Sequence, residues 1–100
     1  MKRYADPEAA IRVAVGDRFA VELAGNPSTG YTWQVGVDDR LLELLGQEFE
    51  PGGEGVGAAG VEVFLFRAVA AGKTEIACAY RRPWDTESRD TKRFRVAVSG

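Results

Sequence analysis

Three stretches of the chain hold residue types that could do chemistry, and in each the chemistry is recognition. In Asn26-Pro27-Ser28-Thr29-Gly30-Tyr31, the proline ring fixes its own φ and pushes Asn26 toward extended geometry. Gly30 permits a positive φ, and Asn26, Ser28 and Thr29 can bond nearby backbone and hold a turn. The product is a stiffened loop with small polar groups at its tip, although turn chemistry alone reads first as an ordinary inter-strand turn. The stretch from Gly52 to Gly60 carries glycine at 52, 53, 55, 57 and 60. It either links two strands or brings bare backbone close to a partner. A phosphate cradle is a poor reading, because no Lys-Ser/Thr follows Gly60 and the next element is a strand, not a helix N-terminus. Arg81-Arg82-Pro83-Trp84-Asp85 sets a tryptophan beyond a strand end, among charges. Trp and Arg are the types most enriched in binding hot spots. Trp33 sits at an inward strand position and reads as core.

Catalytic machinery is harder to assemble. The chain has no histidine, which removes the Ser-His and Cys-His pairs of nucleophilic catalysis and the commonest ligand of zinc and other transition metals. Cys78 is the single cysteine, so there is neither an intrachain disulfide nor a thiol pair. It alternates with Ile76 and Tyr80 and reads as a small buried hydrophobe with no base to activate it. Asp38 and Asp39 are adjacent, so their carboxylates point apart and mark a solvated turn. No catalytic residue, cofactor or metal is expected.

The charge balance of 13 basic against 15 acidic residues is interspersed along the chain, which excludes a basic nucleic-acid footprint. The cations Arg89, Lys92, Arg93 and Arg95 read as a solvated strand face. Apolar runs such as Val63-Phe64-Leu65-Phe66 are too short to cross a bilayer. Met1-Lys2-Arg3 leads into Tyr4, Asp6, Pro7 and Glu8, so no signal peptide is expected in this chain. A disulfide-free protein suits either side of a membrane, which leaves a cytoplasmic location open beside a periplasmic or secreted one after loss of a leader.

The elements that must position these stretches are strands. Ile11, Val13 and Val15 alternate with smaller or polar residues, as do Phe19, Val21 and Leu23; Trp33, Val35 and Val37; Ile76, Cys78 and Tyr80; and Phe94, Val96 and Val98. Period two is the pattern of a half-buried strand. Val61 to Ala70 is apolar on both faces over part of its length and predicts a long central strand. Gly16-Asp17 and Ala71-Gly72-Lys73 read as tight hairpins. Leu41 to Leu45 reads as a short helical turn or irregular entry, followed by a strand near Gln47 to Glu50. Residues 1–100 then form one domain, an all-β, immunoglobulin-like antiparallel sandwich of about seven to eight strands. Strands in such a sandwich alternate in direction. The loops at 25–30, 51–60 and 82–90 follow strands two, four and six, and so should share one pole, with the short connections at 16–17 and 71–72 at the other.

Taken in order, Asn26-Pro27-Ser28-Thr29-Gly30-Tyr31-Thr32-Trp33, Gly57-Ala58-Ala59-Gly60 and Arg82-Pro83-Trp84 resemble the three signature loops of the chagasin family, inhibitors of papain-like (clan CA) cysteine peptidases. The family pattern is Asn-Pro-Thr-Thr-Gly-Tyr/Phe, then Gly-x-Gly-Gly, then Arg-Pro-Trp/Phe, and the match in order and spacing runs from about Ile11 to Val98. Ser28 stands where the family has Thr and keeps the hydroxyl. Ala59 stands where it has Gly, which would be costly at a positive φ. The resemblance implies an immunoglobulin-like fold and a reversible, competitive inhibitor. Asn26, Pro27, Ser28, Thr29, Gly30 and Tyr31 would wedge into the peptidase cleft. Gly57, Ala58, Ala59 and Gly60 would bond one flank through backbone. Arg82, Pro83 and Trp84 would pack on the other. A monomer that binds a papain-like peptidase is expected, without nucleic acid or membrane insertion. An immunoglobulin-like adhesion or ligand-binding module is the alternative.

Overall fold

Every alternating run in the sequence becomes a strand. The computed structural model describes residues 1–52 and 59–100. Its strands are β1 (Lys2–Tyr4), β2 (Ile11–Ala14), β3 (Arg18–Gly25), β4 (Thr32–Gly36), β5 (Leu42–Pro51), β6 (Gly60–Ala68), β7 (Gly72–Arg81) and β8 (Asp90–Ser99), with one turn of 3-10 helix over Pro27–Thr29. One sheet runs β1-β3-β6-β5 and the other β2-β8-β7-β4. The inner faces meet in a core built from Phe19, Val21, Leu23, Leu42, Phe64 and Phe66 on one side, and Ile11, Trp33, Ile76, Cys78, Phe94 and Val96 on the other. This is the sandwich expected from the alternation, with one addition. β1 pairs parallel with β3, and β2 parallel with β8, so each sheet is mixed at one edge.

β6 occupies the central position that its two-sided apolar pattern predicts, between β3 and β5. Phe64 and Phe66 face the core, and Val63 is buried as well. β1 is a strand that the alternation did not announce, since three residues are too few to show a period. Arg3 holds it in place, pairing with Glu22 at 3.1 Å and with Glu50 at 2.6 Å.

Two local expectations are corrected. Gly16-Asp17 and Ala71-Gly72 are tight turns, but not hairpins. The strands they join lie in different sheets: β2 with β8 but β3 with β6, and β6 with β3 and β5 but β7 with β4 and β8. Alternation reports which face of a strand is buried, and does not report which sheet the strand joins. The Gly16 N–H is donated to the Ala68 carbonyl at 2.8 Å, and Ala68 N–H to Asp17 at 2.9 Å, so the two crossovers brace each other at this pole. The second correction is the leucine cluster. Leu42 opens β5 directly, and a bulge between Leu44 and Gly46 leaves Leu44 and Leu45 largely exposed. A helical turn here would sacrifice pairing along the whole edge of β6, and a continuous ladder outweighs one turn of local fit. The tight turn before it is made by Asp38, whose carbonyl accepts from Leu41 and Leu42 and whose carboxylate holds Arg40.

Candidate functional site

Strand register places the three stretches. Gly25 lies opposite Gly60, and Gly60 opposite Pro51. The first stretch therefore leaves its sheet beside both ends of the second. In the other sheet Thr32 lies opposite Arg81, and Tyr80 opposite Asp90, so the first stretch arrives beside both ends of the third. The connection 26–31 crosses from sheet to sheet over one pole of the sandwich, flanked by the other two. Of the second stretch, Gly52, Ala59 and Gly60 are described; residues 53–58, Gly57 and Ala58 among them, lie outside the described residues.

The first stretch is bonded to itself. The Asn26 side-chain oxygen accepts from the Ser28 N–H at 3.2 Å and from its hydroxyl at 2.6 Å. The Asn26 carbonyl accepts from the Thr29 hydroxyl at 2.8 Å and from the Thr29 N–H at 3.1 Å, and the Tyr31 N–H returns to Thr29 Oγ1 at 3.3 Å. Gly30 closes the turn at φ 84°, where a side chain would be strained. A Cβ there would also touch the Trp84 ring at 3.8 Å, so the first and third stretches meet at this glycine. The loop is tied to the scaffold by the Asn26 N–H, donated to the Tyr80 hydroxyl at 3.2 Å.

The third stretch is ordered by cations against rings. The Arg82 guanidinium lies 5.1 Å from the Tyr31 ring and 5.4 Å from the Trp84 ring. Asp85 holds it by a 2.8 Å bond to Nε, which keeps its pKa above the ordinary arginine value. Tyr31 stacks on Tyr80 at 5.3 Å, and Tyr80 packs on Trp33 at 4.9 Å. Arg81 reaches the Asp85 carbonyl at 2.7 Å and Gln34 at 2.7 Å. A continuous stack thus runs from the core at Trp33 out to Trp84, which is 70% exposed. Such an exposed, well-supported indole is the form a binding anchor takes. Tyr31 and Arg82, by contrast, spend much of their surface inside the stack. Sequence reading missed three members of this arrangement. Tyr80 reads from its alternation only as core, and Asp85 as a loop charge. Arg89, whose guanidinium lies 5.2 Å from the Tyr31 ring, reads as a solvated strand face.

The mouth of the second stretch is narrow. The Gly52 N–H is donated to the Ala59 carbonyl at 3.0 Å. A Cβ on Gly60 would run into the Glu50 carbonyl and the Phe49 ring, so glycine is required there by close approach. Among the described residues, only glycines have a positive φ.

Beneath the pole lies Glu62, which sequence reading passed over. Its signal was present: it is the one acid in a run of Val, Phe and Leu. Burial pushes its carboxyl above the ordinary range, opposed by hydrogen bonds from Trp33 N–H at 3.0 Å and Gln47 at 3.3 Å. Cys78 is 3% exposed, and burial pushes its thiol up to about 11. A thiol carries its reactivity as thiolate. Iodoacetamide at pH 8 is therefore expected to leave the folded protein unlabelled over hours and to label it within minutes in denaturant, as read by mass spectrometry. Among the described residues, no three His, Cys, Asp or Glu side chains gather as metal ligands.

Comparison with known proteins places this arrangement. The model of the chagasin family of peptidase inhibitors, I42, matches residues 12–98. Chagasin of Trypanosoma cruzi is 32% identical over 94 residues, covering 88% of this chain and 86% of that protein. Amoebiasin-1 of Entamoeba histolytica is 32% identical over 83 residues, covering 80% and 79%. Among solved structures, the cysteine protease inhibitor EhICP2 from Entamoeba histolytica superposes with a TM-score of 0.79 at 20% identity, covering 97% of this chain and 96% of that one. PbICP-C in complex with falcipain-2 gives 0.63 at 20% identity, covering 97% and 89%. With its fold shared and its sequence matched across nearly the whole length, the chain belongs to the chagasin family of peptidase inhibitors.

Proposed function

We propose that residues 1–100 act as a single domain that inhibits papain-like (clan CA) cysteine peptidases reversibly and competitively, by filling the active-site cleft with three loops. The observation that carries this reading is the meeting of the Asn26–Tyr31 turn with the exposed Trp84 at Gly30, on one pole of a rigid sandwich. A structure in complex with falcipain-2 is known for the related fold of PbICP-C.

The chemistry follows from the turn. A peptidase cuts an extended segment whose carbonyl faces the thiolate in line. Residues 26–31 are folded back on themselves by the bonds to Asn26 and Thr29, so no carbonyl is offered along that line and the loop blocks the cleft without being cut. Ser28 and Thr29 would lie nearest the catalytic cysteine and histidine of the enzyme. Gly57, Ala58, Ala59 and Gly60 would bond one flank through backbone, and Pro83 and Trp84 would pack on the other, with Arg82 orienting Trp84. A standard interface covers about 800 Å² on each partner. Its affinity depends on how little remains to be ordered on binding, and here the first and third loops are ordered beforehand by their own bonds and by the stack beneath them.

Titration of papain with the pure chain tests the reading. Stoichiometric, reversible inhibition that substrate relieves is the expected result; absence of inhibition at micromolar concentration would leave the adhesion or ligand-binding alternative. In the same assay Trp84→Ala is expected to weaken binding by about 2 kcal/mol or more, roughly thirtyfold. The melting temperature should barely change, because the ring is mostly in solvent.

A further inference from the structure

Glu62 is the one charged side chain buried among the described residues, 4% exposed. A charge is kept inside a small domain only where bonds replace the water it has lost. Glu62 follows Gly60 by two residues on β6, and its two oxygens reach two other strands. Oε2 accepts the Trp33 N–H at 3.0 Å, and Oε1 accepts from Gln47 Nε2 at 3.3 Å. Trp33 belongs to β4, at the edge of the opposite sheet. Its N–H is therefore given to a carboxylate across the sandwich, a stronger acceptor than a neutral oxygen. At the other end of the first loop, a Cβ on Gly25 would lie 3.2 Å from Glu62 Oε2, so the carboxylate packs against bare backbone where the chain leaves β3. Gln47 sits on β5, the strand that leads into the second loop. One side chain thus bonds the chain just after residues 26–31, occupies the space that a side chain just before them would need, and joins the two strands that flank the second loop.

We propose that Glu62 is a positioning residue of the inhibitory pole: its buried carboxylate pins both ends of residues 26–31 and so sets how Ser28 and Thr29 are presented to a peptidase. The consequence for inhibition rests on the reading given above; the pinning is a property of the free protein. An apolar side chain could fill the same space, and burying one in place of a charge is often neutral for stability. It could not accept the Trp33 N–H. Glutamine could, and with it the Gln47 amide can turn to keep its own bond.

Amide hydrogen exchange of the free protein and papain inhibition, measured on Glu62→Leu and Glu62→Gln, test this. In Glu62→Leu the amides of Asn26, Thr29 and Trp33 are expected to exchange about tenfold faster or more, while Phe66 and Val96 keep their parent rates. Inhibition should weaken by about tenfold or more. Glu62→Gln should restore both to within about threefold. Gly25→Ala, which leaves Glu62 in place and sets a methyl against it, should loosen the same amides and serves as the second variant should Glu62→Leu fold poorly. Unchanged exchange at residues 26–33 in both Glu62→Leu and Gly25→Ala would overturn the proposal, as would faster exchange spread evenly through the core strands. A parent protein that fails to inhibit papain, with exchange behaving as described, would refute the inhibitor reading and leave the pinning standing.

Discussion

Two glycines inserted between Ser28 and Thr29 are expected to weaken inhibition of papain by more than about a hundredfold and to leave the melting temperature within about 5 °C of the parent. The two halves of this expectation have separate causes. Stability is insensitive because the connection 26–31 is a surface loop between sheets, and lengthening a loop adds only about 0.6 kcal/mol for each doubling. The bonds lost are those from the Thr29 hydroxyl and N–H to the Asn26 carbonyl, which are exposed and individually modest. Inhibition is expected to be sensitive because, in the function proposed above, those same bonds hold the turn in a shape that a peptidase would not cut. An extended loop would bind as a substrate segment does, and slow cleavage between 26 and 31, read by mass spectrometry, should accompany the loss. A longer loop that inhibited as well as the parent would show that its shape is not what blocks the enzyme.

Phe66→Ala is expected to do the reverse. Phe66 is fully buried on β6 and stacks on Phe19 with ring centroids 5.5 Å apart. Removing it costs the transfer of a large apolar group and leaves a cavity that neighbouring strands cannot close. The loss is about 3–5 kcal/mol, or about 15 °C or more in melting temperature for a chain of this size. Phe66 lies near Arg18 and Arg67, toward the end opposite the three loops. The fraction that remains folded should therefore inhibit with close to the parent constant. Calorimetry and inhibition measured at about 15 °C separate the two effects. A parent-like melting temperature would mean that the core is not the one described.

Much of this protein can be read residue by residue. Five strands announce themselves by period two, and β6 by being apolar on both faces, because those patterns are local consequences of burying one side of a pleated chain. The three loops are legible because proline, glycine and an out-of-place tryptophan have few other uses, and direction parity alone brings them to one pole. The leucines at 41–45 misled for an equally physical reason. Four leucines in five residues suit a helical turn, and only the neighbouring edge of β6, more than a dozen residues later in the chain, makes the strand preferable.

The sequence by itself determined that this chain would be a β-sandwich with its variable chemistry gathered at one end, since both facts depend on spacing along the chain. Tertiary structure decided which sheet each strand joins, that Arg82 and Arg89 lie against Tyr31, and that Glu62 meets Trp33 and Gln47. Those contacts link residues up to 58 positions apart. A contact of that kind is created only when two sheets close on one core, and no local pattern of residues encodes it.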